Sequence, residues 1–250
     1  MKVGALFTDY DGTIAPATVS REESAVPTPL RSVLEEISSR IPVAVVTSKD
    51  LRFVKPRTTF AWAWAAVLGL ELRKRDGSGS LARVSARLQE ATERVRKTLP
   101  PQVIVEEKRG SDESLLGVSF DWTAWVNPSL GALEAAEKAF REEGFQVDRY
   151  LGATYVDVYA APADKGRALR ELAEALPAKR PIMYLGDTEA DNWAFEAADI
   201  SVGVLHQQKT GNLRCRYSVR YDDLRDVLAQ LLAGGLEFDD SPSGGWGRGS

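Results

Sequence analysis

Two carboxylates follow an apolar run near the start of the chain, where Asp9 and Asp11 precede Gly12. The run itself, residues 3–8, is typical of a buried strand, so the carboxylates are expected at a strand end. A carboxylate nucleophile divides hydrolysis into two easier displacements, and Asp9 is the predicted nucleophile. Asp11 lies in the following turn, where it could protonate a leaving alkoxide and later take a proton from water.

Further polar groups stand where other predicted elements begin or end. Thr47 and Ser48 follow a second apolar run, Asp187 follows a later one, and Lys165 begins a predicted helix. Ligands of open parallel sheets bind outside the carboxyl ends of the strands. Thr47, Ser48 and Lys165 are therefore predicted to bind a phosphate group, because phosphoryl transfer needs donors and positive charge around its oxygens.

Crowded carboxylates at such an edge need a cation. Two like charges about 4 Å apart repel by roughly 4 kcal/mol at an effective dielectric constant near 20. Ligand sets made of oxygen, completed by substrate phosphate and water, are those that magnesium prefers. The sequence predicts Mg2+ bound by Asp9, Asp187 and the carbonyl of Asp11.

The composition of the chain argues against several classes of function and of binding site. The chain has 250 residues, of which 44% are hydrophobic and 27% charged, as in ordinary folded proteins. Its net charge of −4 disfavours binding to nucleic acid, and no apolar run is long enough to predict a membrane span. We therefore expect a cytoplasmic protein. With Cys215 the only cysteine and His206 the only histidine, neither a disulfide nor a zinc site is expected, and His206 is interpreted as a loop residue.

The order of the predicted elements indicates an α/β fold with a Rossmann-like parallel sheet. Strand, helix and strand patterns occupy the first fifty residues, and the same alternation resumes after residue 160. The predicted segments of this core are strands 3–8, 43–48, 181–185 and 200–205, and helices 29–37, 165–176, 192–198 and 222–232.

The middle of the chain has a different pattern. A charged, glycine-rich turn over 73–80 is followed by a helix over 81–99, two strands, a second helix and two more strands, which indicates an inserted α+β module. The predicted domains are a core formed by 1–74 and 160–237, an inserted cap over 75–159, and a flexible tail over 238–250.

These motifs resemble those of a known superfamily. The run from Asp9 to Thr13 (DYDGT) resembles the first motif of the haloacid-dehalogenase-like phosphatases. Thr47, Lys165 and residues 186–191 (GDTEAD) resemble the second, third and fourth motifs, in the same order. The resemblance implies that Asp9 is the nucleophile, Asp11 the acid and base, and Asp187 a metal ligand. It also implies that Asp191 is a metal ligand or a partner of one.

The long insertion between the second and third motifs is similar to the α/β cap of subclass IIB sugar phosphatases, and in particular of trehalose-6-phosphate phosphatases. Glu106 and Lys108 stand where that family has an E-x-K strand, and Asp157 stands where it has a sugar-binding glutamate. The resemblance implies that these three side chains contact the substrate. Departures occur at Lys49 and Tyr159, where the family has arginine.

Alternatives to trehalose 6-phosphate remain open at this point. Sucrose phosphate, mannosylglycerate phosphate and phosphoglycolate are substrates of phosphatases with the same core chemistry. A phosphosugar mutase that returns the phosphoryl group, and a non-catalytic binding protein, are the other two hypotheses. The sequence leaves the oligomeric state undetermined.

Overall fold

The computed structural model describes residues 1–16, 19–126, 128, 130–150, 153–206, 211–241 and 244–248. The chain divides into two compact units. The core unit comprises Met1–Gly79 and Asp164–Ser250, and the inserted unit comprises Ser80–Ala163.

The strands alternate with helices along most of the chain. They are, in chain order, β1 (Ala5–Thr8), β2 (Val43–Val46), β3 (Ala63–Ala66), β4 (Glu71–Lys74), β5 (Gly79–Leu81), β6 (Ile104–Arg109), β7 (Leu115–Asp121), β8 (Gln146–Asp148), β9 (Tyr155–Tyr159), β10 (Ile182–Gly186), β11 (Ile200–Leu205), β12 (Tyr217–Arg220) and β13 (Gly247–Arg248).

The helices are α1 (Thr28–Ser38), α2 (Leu51–Arg57), α3 (Arg87–Arg96), α4 (Gly131–Glu142), α5 (Lys165–Ala175), α6 (Asn192–Ala197) and α7 (Leu224–Ala233). Within the described ranges, none of them combines the length and the apolar character that a membrane crossing requires.

A nine-stranded sheet in the order β13-β12-β11-β10-β1-β2-β3-β4-β5 organises the core unit, as far as the described residues show. The strands from β12 to β3 pair in parallel, and antiparallel β4 and β13 flank them. The α/β fold with a mostly parallel sheet is confirmed. Because β1 lies between β10 and β2, the ends of three motif-bearing strands lie side by side.

Continuous apolar runs form the central strands because both faces of the sheet are covered. Every residue of β1, β2 and β3 is buried. Side chains of α5 and α6, among them Leu169 and Phe195, join Phe7 and Tyr184 of the strands in one apolar cluster. Helices α1 and α7 pack against each other and contact β2 and β12, respectively. This packing fixes the strand ends from which the functional side chains project.

The inserted unit is a four-stranded antiparallel sheet, in the order β6-β7-β9-β8, with helices α3 and α4. Its apolar cluster contains Val118, Phe120 and Val158 of the strands together with Leu88 and Phe140 of the helices. Side chains alternate across a strand, so the residues between these face the other way. That second face is polar: Glu106 lies opposite Ser119, Ser119 opposite Asp157, and Asp157 opposite Asp148.

The junctions between the units differ from the sequence prediction. Part of the segment predicted as a turn over 73–80 belongs to strands β4 and β5. Because β4 extends the core sheet through Lys74, the core unit continues to Gly79, and the inserted unit starts at Ser80 rather than 75. At the other junction, Gln146 exchanges two hydrogen bonds with the backbone of Ala163, at 2.9 and 2.8 Å, which holds that residue with the insert. The predicted helix over 81–99 is shorter, because only Arg87–Arg96 is helical.

The described part of the tail is packed, in contrast to the flexible tail predicted over 238–250. Phe238 and Trp246 are buried and contact each other, with ring centroids 5.5 Å apart. Gly247 and Arg248 form β13, which pairs with β12. The glycine- and serine-rich composition is typical of a linker, but two aromatic anchors supply the apolar area that ties this segment to the core.

Candidate active site

Asp9 is the first residue beyond β1 and is buried. Its backbone N–H donates to the carbonyl of Leu185, so the ladder between β1 and β10 continues one step past the strand. Lys165, the first residue of α5, places its Nζ 2.9 Å from Asp9 Oδ2. The N-terminus of α5 is fixed by Asp164, whose side chain accepts a hydrogen bond from the backbone of Arg167.

The turn after Asp9 is tight and depends on glycine. Gly12 has a φ of +74°, and a Cβ at this position would lie 2.1 Å from Asp187 Oδ2. Its N–H donates to the carbonyl of Ala15, which closes the turn. Thr13 donates from Oγ1 to Asp187 Oδ1 at 3.1 Å. The first and fourth motifs therefore pack directly on each other, and only glycine leaves room for the Asp187 carboxylate.

Asp191 is surrounded by donors on both oxygens. Lys165 Nζ and the Tyr184 hydroxyl donate to Oδ1 at 2.8 and 2.6 Å. The backbone N–H groups of Asp187 and Thr188 donate to Oδ2, both at 3.1 Å, and the Thr188 hydroxyl donates to the same oxygen at 3.3 Å. A carboxylate has about four lone-pair positions, and these donors occupy all of them.

Burial and mutual repulsion shift the titration of the carboxylates. Burial raises the pKa of Asp9 to about 7; Lys165 opposes this rise and Asp191 adds to it. Burial, together with the charges of Asp9 and Asp191, raises the pKa of Asp187 well above its usual range. Burial alone would lower the pKa of Lys165, but the charges of Asp191 and Asp9 outweigh burial and raise the pKa above its usual value. The side chain is therefore a fixed cation.

The acidic cluster fits a divalent cation bound by oxygen. Ligand atoms of Asp9, Asp187 and Asp191 lie within 4.8 Å of one another. Burial and mutual repulsion raise the pKa values of Asp9 and Asp187, and a bound cation would oppose both effects. Asp191 is close enough to belong to this group, but hydrogen-bond donors already occupy both of its oxygens. Its carboxylate is therefore better suited to orienting Lys165 and the Asp187 backbone than to binding a metal.

Thr47 and Ser48 follow β2, and the pairing of Thr8 with Val45 brings this strand end beside Asp9. Thr47 is buried, and its Oγ1 accepts a hydrogen bond from the N–H of Lys49 at 3.1 Å. A strained loop after β3 supports this turn. Leu68, with a φ of +56°, donates its N–H to the Thr47 carbonyl.

Asp11 has a different environment from the other carboxylates. Its side chain is 35% exposed, and its two oxygens face Ser24 Oγ at 3.4 Å and Lys49 Nζ at 3.8 Å. It therefore lies in the same turn as Asp9 without belonging to the buried cluster of Asp9, Asp187 and Asp191. A partly exposed carboxyl at this position can exchange protons with a substrate or with water.

In the inserted unit, Lys108 and Asp157 form a buried ion pair at 2.6 Å. The Tyr159 hydroxyl donates to the second oxygen of Asp157 at 3.1 Å, and Lys108 Nζ lies 5.3 Å from the centre of the Tyr159 ring. The structure thus brings two of the three predicted cap residues into contact. Glu106 lies on the same polar face, opposite Ser119.

Sequence reasoning missed Thr13, Tyr184 and His206. Tyr184 lies inside an apolar strand, where its hydroxyl could have been noticed as a polar group that needs a buried partner. His206 was interpreted as a loop residue and does follow β11, but its Nε2 lies 2.6 Å from the Gly12 carbonyl and 3.9 Å from Asp187 Oδ2. No local pattern around His206 predicts this contact, which depends on the strand order.

The chain is similar to known proteins in sequence and in fold. No family model matches the chain. A trehalose-phosphate phosphatase of Mycobacterium ulcerans is 28% identical over 221 residues, which are 82% of this chain and 54% of that protein. The chain therefore spans about half the length of the curated relatives it matches.

Two solved structures have similar folds. A trehalose-6-phosphate phosphatase related protein has a TM-score of 0.71 at 20% identity, with 93% of this chain and 98% of that chain covered. A sugar phosphatase of HAD subclass IIB has a TM-score of 0.64 at 13% identity, with 93% and 99% covered. At these identities the likeness establishes the fold. The chain therefore has a fold similar to that of a subclass IIB sugar phosphatase of the haloacid-dehalogenase-like superfamily, and its sequence is similar to those of trehalose-phosphate phosphatases.

Proposed function

We propose that this chain is a Mg2+-dependent phosphatase that hydrolyses a sugar phosphate through a phosphorylated Asp9. The observation that carries the proposal is the buried cluster at the strand ends, in which an Asp9 oxygen is 2.9 Å from Lys165 Nζ and ligand oxygens of Asp9 and Asp187 lie within 4.8 Å of each other. The names of the matched relatives make trehalose 6-phosphate the first substrate to test.

Asp9 is the group that attacks. One of its oxygens forms a bond to phosphorus while the bond from phosphorus to the sugar oxygen breaks. Asp11 donates a proton to the departing oxygen, then accepts one from the water that attacks phosphorus in the second step. Inorganic phosphate leaves and the Asp9 carboxylate is regenerated. The strand-end position of Asp9 and the partial exposure of Asp11 support these two roles.

Lys165 and the turn after β2 provide the electrostatic part of the site. Lys165, held between Asp9 and Asp191, stabilises the ionised nucleophile and faces the place where the phosphoryl oxygens gain charge. Thr47 and Ser48 add hydroxyl and backbone donors for the same oxygens. Asp9, Asp187 and the Asp11 carbonyl would hold Mg2+, which would neutralise the carboxylates and withdraw charge from the phosphoryl group.

Glu106, Lys108 and Asp157 are the proposed specificity residues. They share one polar sheet face, and the carboxylates and the ammonium group can bind sugar hydroxyls as acceptors and donors. Asp157 is shorter by one methylene than the family's glutamate and is engaged with Lys108. The preferred sugar is therefore identified by measuring activity against a panel of sugar phosphates.

The test measures release of inorganic phosphate by the purified chain, with Mg2+ or with EDTA. The panel contains trehalose 6-phosphate, sucrose phosphate, mannosylglycerate phosphate and phosphoglycolate. We expect Mg2+-dependent release, fastest with a sugar phosphate, and none from the Asp9→Asn variant. Isomerised sugar phosphate without phosphate release would indicate a mutase, and no reaction with any compound would favour a binding protein; either result rejects the proposal.

A further inference from the structure

His206 is the chain's only histidine and lies directly beyond the end of β11, two strands away from β1. Its side chain is 25% exposed and reaches across the sheet edge to the turn between β1 and α1. There its Nε2 is 2.6 Å from the carbonyl oxygen of Gly12. The contact joins two parts of the chain 194 residues apart.

The partner fixes the tautomer of the ring. A carbonyl oxygen can only accept, so Nε2 carries the proton and donates it to Gly12. The same nitrogen is 3.9 Å from Asp187 Oδ2. A single N–H group of His206 therefore lies close both to the turn that carries Asp11 and to the carboxylate of Asp187.

The ring is held in place from behind. Tyr221 stacks on His206, with the ring centroids 5.2 Å apart and the planes 26° from parallel. Tyr221 begins the short 3-10 helix Tyr221–Asp223, which follows β12 and precedes α7. The orientation of His206 is thus determined by the core unit rather than by its own loop.

The Gly12 carbonyl needs this donor. Gly12 is buried, and its N–H is already used in the bond to Ala15 that closes the turn. Removing the imidazole N–H would leave a buried carbonyl without that hydrogen bond, and the turn would be free to rotate toward another donor. Asp11 precedes Gly12 directly, so a rotation there changes the position of both its carboxyl group and its carbonyl.

We propose that His206 is a positioning residue, which fixes the Asp11–Gly12 turn through the bond from Nε2–H to the Gly12 carbonyl. The inference rests on the proposed function for its kinetic consequence, because Asp11 is the proposed acid and base. Its structural consequence, a fixed tautomer and a fixed turn, does not require the chain to be a phosphatase.

The kinetic test separates the hydrogen bond from the ring. His206→Phe keeps a flat ring for stacking on Tyr221 and removes the donor, whereas His206→Gln restores an amide donor at a similar reach. We expect His206→Phe to lower kcat by about tenfold or more with little change in KM, because a slightly misplaced turn costs catalysis rather than binding. His206→Gln should recover part of the loss, and Leu205→Ala, at the exposed neighbouring position, should match the wild type.

A second measurement is independent of turnover. Nitrogen-15 NMR of the untagged protein reports one imidazole, and at about pH 8.5, where imidazole rings are generally neutral, we expect a single Nε2–H tautomer. In thermal-shift titrations with Mg2+ alone, His206→Phe should need more Mg2+ than the wild type for the same stabilisation. An Nδ1–H tautomer, or unchanged kcat and Mg2+ response in His206→Phe, would overturn the inference. An inactive wild type with the expected tautomer and Mg2+ response would contradict only the proposed function.

Discussion

Asp9 and Asp191 are both buried carboxylates beside Lys165, but their remaining contacts give them different capacities. Asp191 receives five hydrogen bonds, from Lys165, the hydroxyls of Tyr184 and Thr188, and two backbone N–H groups, so its lone pairs are occupied. Asp9 shares Lys165 and has fewer donors, and its pKa is raised to about 7. A nucleophile needs a free lone pair, which Asp9 has and Asp191 lacks.

Gly12→Ala tests the close packing of the first and fourth motifs. The new Cβ would lie 2.1 Å from Asp187 Oδ2, so either the turn or the carboxylate must move. We expect phosphatase activity to fall by about a hundredfold or more, since a shift of about 1 Å at the reacting groups is that costly.

Gly77→Ala is the matched control. Gly77 also has a positive φ, of +88°, but no atom within 4 Å of the added Cβ. Both substitutions carry backbone strain of about 1–2 kcal/mol, but only Gly12→Ala adds a steric clash, so Gly77→Ala should lower the melting temperature slightly and Gly12→Ala should lower it further. Equal activity of the two variants would contradict the packing argument.

The raised pKa of Asp9 predicts how the metal-free protein responds to pH. An unfolded aspartate titrates near pH 3.9, about three units below the folded value, so between these values the native state retains a proton that the unfolded chain has lost. The free energy of unfolding therefore falls as pH rises through this interval. We expect Tm in EDTA to fall from about pH 5 to about pH 8, and Mg2+ to restore it at the upper end.

Asp9→Asn should reduce the fall in Tm, because it removes the titrating group. Asp112→Asn is a suitable control, since hydrogen bonds from Ser114 lower the pKa of Asp112 and keep its titration below this interval. A pH profile of Tm in Asp9→Asn that matches the wild type would show that Asp9 does not titrate there.

At the scale of elements, the sequence predicted best where local pattern and tertiary role coincide. Strands β1, β2, β10 and β11 are continuous apolar runs, and these were predicted within two residues at each end. Their order in the sheet follows from parallel connections, so the meeting of Asp9, Lys165 and Asp187 could be expected from the sequence. The geometry among these residues could not, because it depends on side-chain packing.

Other elements lacked a decisive local pattern. Helix α2 contains Pro56, which argues against a helix, and its start is fixed by the side chain of Asp50. Strand β3 is a short run of three alanines and Trp64, which has no alternation of polar and apolar residues to mark it. The tail has linker composition, yet Phe238 and Trp246 pack it against the core. In each case a tertiary contact decides the conformation.

Trp246→Ala tests whether the tail stabilises the core unit. Trp246 is buried against Phe238, and loss of a buried aromatic side chain typically costs about 3–5 kcal/mol. We expect a clear drop in the free energy of unfolding from denaturant titration, with kcat at 25 °C unchanged. Ile104→Ala, at a position 61% exposed, should have little effect. A Trp246→Ala variant as stable as the wild type would mean that the tail is loosely attached.

At the scale of the whole molecule, the chain combines a core unit that carries the proposed chemistry with an inserted unit that carries the proposed selectivity. Neighbouring glutamates on β6 allow this division to be tested. Glu106 lies on the polar sheet face opposite Ser119, whereas Glu107 lies on the other face and pairs with Arg96 and Arg109.

Glu106→Gln should lower kcat/KM for the preferred sugar phosphate by about tenfold, because a charged acceptor for sugar hydroxyls is lost. It should leave hydrolysis of p-nitrophenyl phosphate, whose leaving group has no hydroxyls to recognise, near the wild-type rate. Glu107→Gln should leave the activity toward both substrates unchanged. A parallel loss of both activities in Glu106→Gln would assign that residue to folding or chemistry rather than to selectivity.

The most direct test of the central claim is identification of the phosphorylated residue. The wild-type protein is mixed with its best substrate and Mg2+, quenched in acid within one turnover, and treated with borohydride, which reduces an acyl phosphate to an alcohol. Peptide mass spectrometry should then find homoserine at position 9 and unmodified aspartate at positions 11, 187 and 191. Phosphate release with an unmodified Asp9, or homoserine at another of these positions, would contradict the account.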